Sequence, residues 1–202
     1  LISYSMFLVG FLDDLKINIK PFSRLIIMVL LLFLIIFILP IKIFNIDIPF
    51  LFSLMSSHIL SSVFVLLCFL FIINGANLID GFNGLLAINL IIINVILAYI
   101  NTNNENLEFA FLLISQIIIL LSFLLFNFPS AKIFLGDSGA YLFGALTSLN
   151  IIITNNLNPK ISSFFFCTLL FYLFFEVFFS FFRKLKQGKS PFYPDDKHLH
   201  ML

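Results

Sequence analysis

The feature that most restricts this chain is a succession of long apolar runs, each closed by a short polar break. A bilayer core about 30 Å thick takes about 20 apolar residues as a helix, because each residue rises about 1.5 Å. Lipid offers the backbone no hydrogen-bond partners, so only helices and closed barrels span it. Runs of this length suit helices. Only 10% of the residues are charged and 61% are hydrophobic, against about 25% charged in a soluble domain. The fold class is therefore all-α, a polytopic integral membrane protein. The expected spans cover 24–39, 50–73, 84–100, 109–126, 140–154 and 161–182, about six complete transmembrane helices. Residues 1–12 form part of another. Residues 1–202 read as a single transmembrane domain, truncated at both ends, since Leu1 opens inside an apolar run. No basic segment with a small-residue cleavage site marks a signal peptide. Cys68 and Cys167 lie deep in apolar runs without metal-ligand spacing and read as packing residues.

Spans alternate sides, so a parity count sorts the breaks. With Asp13 and Asp14 on one side, the breaks at 74–83 and 127–139 and the tail from 183 onward share that side. The loops at 41–49, 101–108 and 155–160 take the other. Lys16, Lys20, Arg24, Lys132, Arg183, Lys184, Lys186, Lys189 and Lys197 fall on the first side, with only Lys42 and Lys160 opposite. The positive-inside bias makes the first side the cytoplasm. Every polar cluster with chemical potential lands there. A transporter would instead carry polar groups near mid-membrane on several helices, commonly in inverted repeats.

Four constellations stand on that face. Residues 127–139 hold one acid, Asp137, followed by Ser138 and Gly139, beside a hydrocarbon span. Such an acid suits a divalent metal for phosphoryl chemistry; the plainer alternative is an Asp that caps the next helix. Asp13 and Asp14 repel each other unless a cation is near; the alternative is a solvated helix end. Asn77, Asp80 and Asn83, spaced by three among glycines, suit ribose hydroxyls, a base edge or a metal; the alternative is a capped interfacial turn. Arg183, Lys184, Lys186 and Lys189 precede His198 and His200. That tail suits a phosphate-rich substrate or, more simply, anionic lipid headgroups. Glu176, inside a span, reads as structural, as does His58 on the far side.

The stretches V-G-F-L-D-D-L-K (9–16), N-G-A-N-L-I-D-G-F-N-G-L (74–85), N-F-P-S-A-K-I-F-L-G-D-S-G (127–139) and G-K-S-P-F-Y-P-D-D-K-H-L-H-M-L (188–202) resemble, in order and spacing, the polyprenyl-phosphate N-acetylhexosamine-1-phosphate transferases. This is glycosyltransferase family 4, which also holds the phospho-N-acetylmuramoyl-pentapeptide transferases. The resemblance implies a ten- or eleven-helix enzyme of the cell membrane with a cytoplasmic site. It implies transfer of a sugar 1-phosphate from a UDP-N-acetylhexosamine to undecaprenyl phosphate, with UMP released and Mg²⁺, or Mn²⁺ in its place, required. That is the first membrane step of cell-surface polysaccharides such as O-antigen. Carried over by motif, Asp137 resembles the metal ligand, and Asp13 and Asp14 the catalytic pair, one of them a base for the lipid phosphate. Asn77, Asp80, Asn83, Phe134, Lys132, His198 and His200 resemble substrate-binding positions, Phe134 by stacking on uracil. Asn83 stands where many members carry Asp. The His-Leu-His pattern at 198–200 departs from the three-His run of the muramoyl-pentapeptide enzymes and points to the N-acetylhexosamine branch. The expected partners are the lipid phosphate, the UDP-sugar and the membrane, with no nucleic acid; a homodimer is compatible. A transporter fragment and an inactive relic of the transferase stand as alternatives.

Overall fold

A computed structural model of the chain describes residues 1–15, 19–44 and 46–188. Among the described residues every regular element is a helix: α1 (Ile2–Asp14), α2 (Pro21–Ile38), α3 (Pro49–Leu54), α4 (His58–Ile79), α5 (Leu85–Asn103), α6 (Leu107–Asn127), α7 (Gly136–Leu157), α8 (Ser163–Leu169) and α9 (Phe171–Lys186). Four of these, α2, α4, α5 and α6, are long and apolar enough to cross a membrane, and the bent pair α8–α9 makes a fifth. The protein is an all-α, multi-pass membrane protein. Helix α7 matches the four in length, with 22 residues, but is more polar; it buries Thr147, Ser148, Asn150, Thr154 and Asn155.

That polarity is tolerable because α7 lies at the centre, packed against α1, α4 and α5. Hydrophobicity gives lipid-embedded helices little reason to associate, so close backbone approach and interhelical hydrogen bonds do the work. Ala140, Gly144 and Ser148, spaced by four, make one buried face of α7. A methyl group on Gly144 would stand 2.8 Å from the Ile73 Cα of α4. In mid-helix, Asn150 Nδ2 donates to Asn94 Oδ1 of α5 at 3.1 Å and to Gln116 Oε1 of α6 at 2.8 Å. Nearer the end of α7, Asn101 Nδ2 donates to Thr154 Oγ1 at 3.0 Å and Asn158 Nδ2 to Asn101 Oδ1 at 3.2 Å. Two apolar cores flank this axis. One joins α4 to α9 through Leu86, Leu90, Leu113 and Leu173, and the other joins α1, α2, α4 and α7 through Met6, Leu32, Phe69 and Tyr141.

Two expected spans and one expected break differ from their sequence reading. The run at 50–73 is divided: α3 ends at Leu54 and α4 starts at His58, with Ser56 and Ser57 in the turn between them. His58 there meets the Phe37 ring edge-on at 4.7 Å. The break at 74–83 is shorter than expected, because α4 stays helical to Ile79. Asn74 Nδ2 bonds back to the Leu70 carbonyl at 2.7 Å, and Gly75 admits α9, where a methyl group would stand 2.8 Å from the Leu173 carbonyl oxygen. Asn74 and Gly75 are thus helical packing residues. The run at 161–182 bends by 65° between α8 and α9. Beyond the bend, α9 buries Glu176, Ser180 and Lys184, one turn apart, and turns Phe171, Phe178 and Phe182 outward.

At the bundle end away from Asp13, the loop before α3 is tied to the α7–α8 corner. Asn156 accepts from the Phe44 amide at 2.9 Å and donates to the Lys42 carbonyl at 2.8 Å, and Asp47 accepts from the Ser163 amide at 2.7 Å.

Candidate active site

Four helix ends meet at the opposite end of the bundle: the C-termini of α1 and α4 and the N-termini of α2 and α7. The first amides of α7 need acceptors, as at any helix start. Its own N-cap, Leu135, has no acceptor side chain. Asp14 supplies it from another helix: its Oδ1 accepts from the Asp137 amide and its Oδ2 from the Ser138 amide, each at 3.0 Å. A carboxylate suits the positive end of the helix dipole. Gly136 makes the approach possible. Its φ of +68° favours glycine, and a methyl group there would stand 2.8 Å from Asp14 Oδ2. Asp137, a capping candidate by sequence, therefore caps nothing, and its side chain is free for other partners.

Those partners are charged and close. Arg24, in the first turn of α2, places one nitrogen, Nη1, against two acids. It is 2.9 Å from Asp137 Oδ2, and it pairs with Asp13 Oδ2 as well. Its guanidinium lies over the Tyr141 ring, 5.6 Å from the centroid. Asn77, one turn from the end of α4, donates from Nδ2 to Asp137 Oδ1 at 2.6 Å. The adjacent acids of α1 have thus separated in role. Asp14 holds the backbone of α7, while Asp13 faces Asp137 across a shared cation. The α1–α7 contact is made at Gly10, where a methyl group would overlap the Asp137 carbonyl.

The electrostatics follow from crowding acids at a half-dry interface. Burial raises Asp137 above the ordinary carboxylate range, and the neighbouring Asp13 carboxyl adds to this; Arg24 and Asn77 pull the other way. Asp80, just past the end of α4, is pushed up to about 7, first by burial and then by the carboxylates of Asp137 and Asp14. Within this cluster four carboxyls, those of Asp13, Asp14, Asp80 and Asp137, crowd around one guanidinium.

The remaining expected residues are placed less uniformly. Asn83 Nδ2 donates to the Pro129 carbonyl at 3.0 Å and ties two loops together. Beside it, Asn127 accepts from the Gly84 amide at 2.6 Å and donates to the Ile133 carbonyl at 2.8 Å, which fixes the loop before Asp137. Phe134 is 77% exposed, so its ring is available to a planar ligand, and Lys132 is exposed nearby. His198 and His200 lie outside the described residues. Arg24, Gly10, Tyr141 and Asn127 were not singled out from sequence as site residues. Arg24 entered only as one positive charge among nine, although it stands ten residues past Asp14 at the start of the next span.

Among the described residues no three His, Cys, Asp or Glu side chains form a ready metal cage. Mg²⁺ needs none, since it keeps several waters and takes one or two carboxylates plus substrate phosphates. Asp13 and Asp137 already share one cation through oxygen atoms, with the Asn77 amide beside them. An all-oxygen, two-carboxylate set of this kind fits Mg²⁺ or Mn²⁺.

Residues 1–155 match the model of a family described as Glycosyl transferase family 4. The chain is 33% identical over 139 residues to the undecaprenyl-phosphate alpha-N-acetylglucosaminyl 1-phosphate transferase of Thermotoga maritima, covering 68% of this chain and 41% of that protein. It is 37% identical over 83 residues to the phospho-N-acetylmuramoyl-pentapeptide-transferase of Streptococcus sanguinis, covering 41% and 25%. It is 31% identical over 109 residues to the enzyme of the same name from Clostridium perfringens, covering 54% and 34%. The matched stretch is less than half the length of each of these relatives.

Proposed function

The chain belongs to glycosyl transferase family 4, and from that premise we propose that it transfers an N-acetylhexosamine 1-phosphate from a UDP-sugar to undecaprenyl phosphate at the cytoplasmic membrane face. The observation that carries this reading is the Asp13–Arg24–Asp137–Asn77 cluster, gathered from four helices at one end of a membrane bundle. A lipid phosphate and a water-soluble nucleotide meet only at such a depth.

In the reaction, an oxygen of the lipid phosphate attacks the sugar-bearing phosphorus of the UDP-sugar. The bond from that phosphorus to the bridging oxygen breaks, and UMP leaves with that oxygen. The catalytic requirement is to place the two phosphates in line and to neutralise charge on the equatorial oxygens. Asp137 and Asp13 are the residues that would hold a divalent ion, which would supply that neutralisation when bound. Asp14 sets the position of Asp137 by holding the first amides of α7. Because Asp14 is committed to that task, Asp13 is the better candidate to take a proton from the lipid phosphate. Asn77 orients Asp137, and exposed Phe134 offers its face to the uracil ring. The sugar is an N-acetylhexosamine in this reading, and the product is the starting lipid of a surface polysaccharide.

The mid-membrane amides Asn94, Gln116 and Asn150 would suit a transporter only if they faced a path, and they bond one another instead. The test is release of UMP from UDP-N-acetylglucosamine in the presence of undecaprenyl phosphate and Mg²⁺, followed with a panel of UDP-sugars. Asp137→Ala should lower turnover by about 10³-fold or more, the scale of losing a main charge-stabilising group. Undiminished turnover rejects the assignment of Asp137.

A further inference from the structure

Arg24 is held on three sides, by two carboxylates and an aromatic ring. Its single nitrogen Nη1 bridges an oxygen of Asp13 and an oxygen of Asp137. That is the position a hard cation would take between the same two carboxylates. The guanidinium is also held from a third side by the Tyr141 ring, and Tyr141 is fully buried. Arg24 therefore sits in a built environment, anchored at the start of α2 beside Pro21. Two carboxylates brought this close repel each other strongly without a cation between them. A divalent ion can take both oxygens only if the guanidinium gives them up.

We propose that Arg24 is a positioning residue that acts as an internal counter-cation: it holds Asp13 and Asp137 together in the metal-free protein and is displaced when a divalent ion binds. The proposal rests on the phosphate-transfer reading above and gives that site an order of loading. Ion binding alone works against the Arg24 bridge, since any ion must shift a preformed contact. A diphosphate that brings its own oxygens and negative charge lowers that barrier, because it coordinates the ion and offers the released guanidinium a new acceptor. The site thus stays ordered when empty and holds its metal firmly only with substrate present.

The test uses metal alone. Mn²⁺ binding to the full chain in nanodiscs is read by electron paramagnetic resonance, and Mg²⁺ by competition. Arg24→Gln should bind Mn²⁺ at least tenfold more tightly than the wild type. Lys20→Gln removes a neighbouring positive charge without touching the bridge and should stay within threefold of the wild type. Equal changes in the two variants would mean a diffuse charge effect and overturn the proposal. So would unchanged or weaker binding by Arg24→Gln, or no binding in any of the proteins.

A second readout needs no folded Arg24→Gln. The chain has two arginines, Arg24 and Arg183, so ¹⁵N-arginine labelling gives two side-chain resonances, assigned with Arg24→Lys. Under Mg²⁺ titration the Arg24 resonance should move along the same curve as metal occupancy while Arg183 stays put. A static Arg24 resonance at saturating metal rejects the displacement. A protein that releases UMP with Arg24 unmoved keeps the functional reading and loses this one. A displaced Arg24 in a protein that transfers no sugar phosphate does the reverse.

Discussion

Gly10→Ala adds a single methyl group where α1 touches the start of α7. An ideal Cβ at that position stands 2.5 Å from the Asp137 carbonyl carbon and from the Ser138 nitrogen. Both are backbone atoms, so no rotamer change relieves the clash. Carbon contacts relax at about 3.5 Å, so α1 must move away from α7 by about 1 Å. The same motion stretches the two bonds from Asp14 to the Asp137 and Ser138 amides, now 3.0 Å each, beyond hydrogen-bond range. Overpacking of this kind costs about 1–3 kcal/mol. Helix-end amides that lose a charged acceptor add about 1–3 kcal/mol more where water cannot replace it. A misplacement of about 1 Å between catalytic groups costs about 10²-fold in rate. Thermal unfolding in detergent should therefore show a clear loss of stability, and UMP release should fall by about that factor. Gly10→Ala with wild-type melting and turnover within twofold would falsify the claim that this contact sets the register of the acids.

Three further outcomes follow from the same geometry. Asp14→Asn keeps only one of the two acceptor oxygens, turns an NH2 group toward the second amide and loses the charge at the start of α7, so it should cost about 1–3 kcal/mol of stability and slow transfer, whereas Asp13→Asn should weaken metal binding with little change in melting; matching effects in the two variants would contradict the division of roles. Asn150→Leu leaves Asn94 and Gln116 without their shared partner and should cost about 1 kcal/mol, the usual scale for interhelical hydrogen bonds in membranes; a variant that melts like the wild type would mean the trio contributes nothing. Asp80, raised from 3.8 to about 7, keeps a proton in the folded, metal-free state through a range where the unfolded chain has lost it. Stability from this group is thus present at low pH and lost as pH rises through about 7. A divalent ion nearby favours the carboxylate, so metal affinity should fall as pH drops below about 7, by up to tenfold per unit if one proton is displaced. Asp80→Asn should flatten that slope, and a slope unchanged in the variant would assign the proton elsewhere.

Much of the fold was readable because membrane insertion depends on local sums. Apolar run length marks the helices, and counting crossings gathers the polar breaks at one end of the bundle. The details that failed were those set by neighbours. Asn74 and Gly75 looked like a break, yet one bonds back along α4 and the other admits Leu173 of α9. The bend between α8 and α9 follows no proline or glycine within 161–182. In α7, a helix with Asn150 and Thr154 at its middle and end is stable only because α5 and α6 bring Asn94, Gln116 and Asn101 to meet them.

The site divides in the same way. Sequence alone gathered Asp13, Asp14, Asn77, Asp80 and Asp137 on one face of a membrane helix bundle, because parity and charge are counted along the chain. Only the tertiary structure decided that Asp14 caps a helix 123 positions away, that Asp13 and Asp137 share Arg24, and that Asp137 is left uncommitted to its own helix. Those roles depend on how closely two backbones approach at Gly10 and Gly136. Such a distance is set by the packing of several helices at once, and no single stretch of sequence contains it.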